Sequence, residues 1–317
     1  QLLRDLIRDA DVLVENYKVD GLKKYGLDYD SLKTINPRLV YCSITGFGQT
    51  GPYKHRAGYD FMIQGMSGLM SVTGEPDGTP MKAGVALSDI LTGLYAANAI
   101  QAALHFRVST GLGQHIDLSL LDVQVAAMAN QAMNYLATGN SPGRLGNAHP
   151  NIVPYQAFAT ADDYLILAVG NDGQFQRFCD VAGRPDLAAD ERFATNQARV
   201  ANREILLPVV IELMKTQSRD WWLAHLEEVS VPCGPINTLE QVFADPQVQS
   251  RELQRELDQA ELGKVPSVAN PIRFSESAVQ YDKAPPSLGG DTDRVLRGLL
   301  GCNAEQLALW REQGIVG

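Results

Sequence analysis

The feature that most narrows the choice of fold is a change of hydrophobic period along the first part of the chain. Two short β-rich runs, DVLVEN (11–16) and RLVYCSITGFG (38–48), bracket YKVDGLKKYGLDYDSLKTINP, which reads as helical pieces joined by turns. Farther on, SDILTGLYAANAIQAALHFR (88–107) reads as a helix with Ser88 as its N-cap. Because it is small and apolar nearly all round, this helix is expected to be buried. TGLGQHIDLS (110–119) then supplies a turn and a short strand, and LLDVQVAAMANQAMNYLATG (120–139) a second, mostly buried helix that stops at Gly139. Strands alternating with helical segments predict an α/β layer.

Between these segments, YDFMIQGMSGLMSVTG (59–74) reads as a Gly-rich helical stretch and EPDGTP (75–80) as a turn. The composition shifts to Gly, Pro and Asn in GNSPGRLGNAHPNIVP (139–154), which reads as a linker between domains. Beyond it, YQAFATADDYLILAVG suggests two strands around a polar turn, residues 172–228 are dominated by helical patterns, and ELDQAELGKVPSVANPIRF returns to strand character. The tail from 291 reads as two short helices, the second opening at Asn303 and closing near Gly314.

Composition excludes several classes. With 317 residues, 45% hydrophobic and 20% charged, the chain can build two cores and is neither disordered nor fibrous. A net charge of -10 argues against nucleic acid as the main partner, while leaving room for a local basic pocket for phosphates. The four cysteines, Cys42, Cys179, Cys233 and Cys302, form no CxxC pair, no His stands at metal-ligand spacing, and the thiols read as reduced, in a cytoplasmic protein. No run of about 18 apolar residues indicates a membrane span. The chain opens inside a helical pattern on Leu2, Leu3, Leu6 and Ile7, which resembles a chain without its natural start more than a signal peptide.

Within the 120–139 helix, Asp122 stands among Leu, Val, Ala and Met, where an unpaired buried charge would cost several kcal/mol. One reading is structural: Ser119-Leu-Leu-Asp122 fits a capping box, with Asp122 reaching back to an orphan N–H. The other is chemical: a first-turn carboxylate at the positive end of the helix dipole can act as a nucleophile towards a carbonyl. The two share one geometry, and spacing does not decide between them. Other candidates are weaker. The glycine stretches match neither a dinucleotide fingerprint nor a P-loop, and no nucleophile elbow is present. His149 reads as a loop residue, Asp172 as part of an Asn-Asp-Gly turn, and the Trp221-Trp222 pair as core.

At this point the blocks ADVLVENYKVDGLKKYGLDYDSLKTINPRLVYCSITGFGQTGPYKHRAGYD, TGLGQHIDLSLLD, VPCGPINTLEQVFADPQV and PPSLGGDT together resemble the class III CoA-transferases, the group of formyl-CoA transferase and the α-methylacyl-CoA racemases. The resemblance runs in order through essentially the whole chain. AGYD, NYL, GNAH, IVPYQAF and GPIN bring it nearest to the succinyl-CoA:glutarate-type dicarboxylate CoA-transferases. It implies a Rossmann-like large α/β domain (1–145), a linker (146–154), a smaller α+β domain (155–270), a C-terminal tail (271–317) returning to the large domain, and an interlocked homodimer. It also implies that a further stretch of the family fold precedes Gln1.

The same resemblance implies the chemistry. Asp122 falls at the family's catalytic aspartate, which forms a mixed anhydride and then an enzyme-CoA thioester. Asn16 and Tyr17 match a pair lining the CoA site. Lys24 falls where a family Arg meets the CoA phosphates, keeping the cation and losing the bidentate fork. Tyr59 and Asp60 match a pair at the active-site edge. A second carboxylate on the acceptor would need a cation, for which Arg56 and Arg144 are candidates. No cofactor beyond the CoA thioester substrate, no metal, no nucleic acid and no membrane is implied. Where the racemases carry a His, this chain has Tyr59, and a phenol with a pKa of about 10 is a poor acid/base at neutral pH. Asp172 lies where those racemases carry a Glu. Racemisation or isomerisation of an acyl-CoA, and CoA binding without catalysis, are the alternatives to CoA transfer.

Overall fold

The computed structural model describes residues 1–259 and 261–316. The chain parts into two units, Gln1–Cys233 and Gly234–Gly317.

The first unit is built on a three-stranded parallel sheet, β1 (Val12–Glu15), β2 (Val40–Thr45) and β3 (His115–Ser119), with β2 in the middle. The register runs from Val12↔Val40 to Glu15↔Ser43 and from Tyr41↔His115 to Thr45↔Ser119. Val40, Tyr41, Cys42 and Ser43 are buried, as a central parallel strand covered on both faces requires. Ile7 from helix α1 (Leu2–Arg8) joins Leu32, Leu39 and Tyr41 in a small core beneath β1 and β2.

Helix α2 (Asp60–Met66) precedes the long α3 (Leu87–Thr110), which crosses the sheet between β2 and β3. At its far end Arg107 donates to the carbonyls of Asp11 and Arg38 and pairs with the Asp11 carboxylate at 2.8 Å, which pins the helix along the strands. Two expectations for α3 fail. Ser88 is not its cap: the helix begins at Leu87, and the fully buried Ser88 hydroxyl donates to Gln124 Oε1 at 2.8 Å. Nor is the helix buried all round. Ser88, Thr92, Ala96 and Ala103 form one buried stripe, while Leu94 at 63% and Val108 at 85% stand open to solvent. Small residues let the stripe approach the sheet closely, and among the described residues the Leu94 and Val108 side stays uncovered.

The segment 120–139 is likewise two helices, α4 (Leu120–Ala127) and α5 (Ala129–Thr138), broken where Ala129 takes a φ of 45°. Leu120, Val123 and Gln124 are buried, whereas Leu136 is 71% exposed. The helical stop at Gly139 is as expected, with a left-handed φ of 73°. Residues 140–154 carry no helix or strand.

A second core follows within the same unit. β4 (Tyr155–Ala159) and β5 (Tyr164–Ala168) pair antiparallel, and the short β6 (Cys233–Pro235) falls where the first unit ends. Against them lie α6 (Asp172–Val181), α7 (Arg203–Met214) and α8 (Arg219–Glu228), which bury Phe175, Phe178, Met214 and Trp222. Trp222 is core as expected, and its indole N–H reaches the Met214 carbonyl at 2.8 Å. The second unit includes an antiparallel hairpin, β7 (Gln254–Gln259) and β8 (Gly263–Val268), and closes with the helices α9 (Thr292–Leu300) and α10 (Ala304–Glu312). The Asn303 side chain caps α10 by accepting the Gln306 N–H. No helix among the described residues is long and apolar enough to cross a membrane.

Candidate active site

Ser119 ends β3 in extended conformation, and its hydroxyl accepts the Asp122 backbone N–H at 3.2 Å, which caps α4. Only this half of the expected capping box forms. The Asp122 carboxylate is exposed, and among the described residues it accepts no hydrogen bond and meets no cation. The burial cost that its apolar neighbours suggested does not arise: Leu120 and Val123 face inward while the intervening turn of helix aims Asp122 outward. The cap is completed by Ser119 and a backbone N–H, so the carboxylate is left over for other work.

Beside α4 a cavity of about 480 Å³ opens at the carboxyl ends of all three parallel strands. Asn16 and Tyr17 follow β1, Gly46 follows β2 and Leu120 follows β3, and each of these residues lines it. Ligands of open parallel sheets gather at this end, where the loops diverge. Lys18, Lys54 and Arg56 also line it, against one carboxylate, Asp89. A protein of net charge -10 thus presents an excess of cations here, and a confined site of one sign attracts an opposite charge. Among the described residues neither lysine makes a side-chain hydrogen bond or an ion pair; Arg56 lies over the Tyr53 ring at 4.5 Å and the Phe47 ring at 5.4 Å and has no carboxylate partner. Partial burial pushes the Asp89 carboxyl above its ordinary value, and the Asp60 charge adds to the rise.

Of the residues anticipated from sequence, Asn16, Tyr17, Arg56 and Tyr59 therefore meet in one cavity, with Asp122 two residues beyond its Leu120 wall. Three stand elsewhere. Lys24 lies over the Tyr25 ring at 4.8 Å. Asp60 accepts the Ser88 N–H at 2.8 Å and the Gln64 amide at 2.7 Å, serving the start of α3. Arg144 donates to the carbonyls of Glu75, Pro76 and Gly78, clamping the 75–80 turn. Asp172 is not a turn residue: it opens α6 and pairs at 2.9 Å with the fully buried Arg199 in the second core. His149 is a loop residue whose Nδ1 accepts the Asn151 N–H.

Sequence reasoning missed Lys18, Lys54 and Asp89. Lys18 directly follows the Asn16-Tyr17 pair and Lys54 lies two residues before Arg56, so adjacency was the available signal. Asp89 reads as an ordinary first-turn acid. Among the described residues no group of His, Cys, Asp and Glu is placed to hold a metal ion.

A family model described as CoA-transferase family III matches residues 1–292. The chain is 56% identical over 299 residues to a succinate–glutarate CoA-transferase of Agrobacterium fabrum, covering 94% of this chain and 74% of that one. It is 41% identical over 300 residues to the succinyl-CoA:glutarate CoA-transferase of Mus musculus, covering 95% and 69%. Among solved structures, a CAIB/BAIF family protein from Brucella suis superposes with a TM-score of 0.80 at 54% identity, covering 94% of this chain and 78% of that one. Rv3272 from M. tuberculosis gives 0.81 at 27% identity, covering 92% and 78%.

Proposed function

Because the chain belongs to CoA-transferase family III, we propose that it moves coenzyme A from succinyl-CoA to a dicarboxylic acid through covalent intermediates on Asp122. The observation that carries this reading is the uncommitted Asp122 carboxylate on the first turn of α4, beside a cation-lined cavity at the strand ends.

A carboxylate oxygen of Asp122 attacks the thioester carbonyl, the C–S bond breaks, and CoA leaves as thiolate, giving a mixed anhydride. The thiolate attacks the aspartyl carbonyl and expels the donor acid as its carboxylate, which leaves an enzyme-CoA thioester. The acceptor carboxylate then displaces the thiolate to form a second anhydride. Attack by the thiolate on the acceptor carbonyl of that anhydride frees Asp122 and completes the new thioester. Splitting the exchange in this way replaces one difficult step by several easier ones. Every step trades one anion for another, so the route asks for no proton transfer and no cofactor.

In this reading Lys18 and Lys54 meet the CoA phosphates, a role assigned from sequence to Lys24, while Asn16 and Tyr17 line the nucleotide path. Arg56 takes the distal carboxylate of the acceptor, where a guanidinium fork suits a planar oxyanion. The reading includes a homodimer, supported by the open apolar faces of α3 and α5, since large exposed apolar patches mark association surfaces. It also includes a reducing, cytoplasmic setting, with which four free cysteines agree. The test is transfer itself: purified protein with succinyl-CoA and a panel of dicarboxylates should yield the acceptor's CoA thioester, and a folded protein that yields none defeats the reading.

A further inference from the structure

At the wall of the cavity the chain crosses itself through two glycines. A Cβ built on Gly46 would lie 2.5 Å from the Gly58 Cα, and one on Gly58 would run as deeply into the Gly46 Cα. Contacting carbons sit about 3.5–4.0 Å apart, so neither position accepts a side chain unless a backbone moves. Neither glycine adopts a positive φ. Their lack of a side chain is used here for close approach and not for an unusual dihedral.

The crossing joins the two halves of the site. The Gly46 carbonyl accepts the Leu121 N–H at 3.2 Å and the Ser119 hydroxyl at 3.4 Å, so it is held by the first turn of the helix that carries Asp122. Gly58 stands between Arg56 and Tyr59, both cavity residues, and is followed closely by Asp60, which is anchored to the start of α3. The turn after Gly46 is braced on its other side. Thr45 Oγ1 accepts the Gly48 N–H at 2.9 Å, and the Asp117 carboxylate accepts the Gln49 N–H at 3.1 Å.

We propose that Gly46 and Gly58 are positioning residues for CoA transfer: their backbone contact sets the gap between the Asp122 helix and the loop bearing Arg56 and Tyr59. The proposal rests on Asp122 as the nucleophile. A bound thioester spans that gap, and its carbonyl meets the carboxylate only when the two walls are correctly spaced. Misplacement by about 1 Å can cost on the order of 100-fold in rate.

The test compares Gly58→Ala, Asp117→Ala, Gly84→Ala and Asp122→Asn in the full chain, with kcat, KM for acyl-CoA and thermal midpoint measured for each. Gly84 has open space around its Cβ position and no positive φ, which makes it the control. Gly58→Ala is expected to lower kcat on the order of 100-fold in protein that remains folded. A merely structural role would lower the thermal midpoint and leave the kcat of the folded fraction unchanged. Asp117→Ala introduces no clash and releases the brace on the 46–49 turn, so it covers the case in which Gly58→Ala does not fold; its expected loss is on the order of tenfold in kcat at a nearly unchanged midpoint. Parent kcat in both variants, with Asp122→Asn inactive, overturns the positioning role alone. An active Asp122→Asn overturns the nucleophile and this proposal with it.

Discussion

The Asp60 carboxylate accepts the backbone N–H of Ser88 at 2.8 Å, so the longest helix of the chain is capped from another helix and not from its own sequence. The second Asp60 oxygen holds the fully buried Gln64 amide at 2.7 Å, and Ser88 in turn donates to Gln124 on α4. One acid thereby ties α2, α3 and the helix of Asp122 together.

Asp60→Ala should therefore destabilise the chain by about 2 kcal/mol, combining a lost cap with a buried amide that keeps only its longer donor contact, to the Val85 carbonyl at 3.4 Å. Asp60→Asn should cost less, since one amide oxygen can still accept the Ser88 N–H. Urea unfolding of the three proteins checks the order.

Asp122→Asn should abolish transfer while costing no more than about 1 kcal/mol of stability, because Ser119 supplies the cap and only the interaction of charge with the helix dipole is lost. Hydroxylamine added during turnover should modify the parent at one aspartate, which peptide mass spectrometry should place at Asp122. Transfer at the parent rate by the folded variant would sink the mechanism.

Lys18→Ala and Lys54→Ala should raise KM for acyl-CoA with little change in kcat, since phosphate contacts remote from the thioester bind ground and transition states alike. Arg56→Ala should instead erase the preference for dicarboxylic over monocarboxylic acceptors. Steady-state kinetics with matched acceptor pairs separate the two roles.

Asp89 carries a sign that can be checked against pH. Its carboxyl is raised above the ordinary value of 3.8, so the folded chain holds that proton more tightly than the unfolded chain does. Its stabilising contribution is complete below 3.8 and is lost as pH climbs through the raised folded value. Asp89→Asn should be more stable than the parent at neutral pH, with the difference closing under acid. Denaturation series across that range would show the opposite trend if the carboxyl were depressed.

Incubation of a chiral 2-methylacyl-CoA with the enzyme in deuterated water should leave the α-position unexchanged, because CoA transfer moves no α-proton. Deuterium appearing there by mass spectrometry would favour an isomerase.

Local chemistry carried much of this into the sequence. The β-branched runs around Val12 and Val40 announced the strands, Ser119 three residues before Asp122 announced the cap, and Gly139 announced a helix end. What stayed hidden depends on distance through space. Ser88 looks like a cap in sequence, yet Asp60, 28 residues away along the chain, does the capping. An apolar helix announces that it will be covered and not by what, which is why Leu94 and Leu136 proved exposed. Lys18 and Lys54 come to line one cavity only once the strand ends bring their loops together.

That the cavity draws one loop from the end of each parallel strand has an evolutionary consequence. The sheet and the Ser119 cap can stay constant while the loop carrying Lys54, Arg56 and Tyr59 drifts, because that loop meets the helix of Asp122 through backbone at Gly46 and Gly58. On the mechanism proposed above, new acceptor acids can then be recruited by exchanging a short surface segment, without rebuilding the helix that carries Asp122.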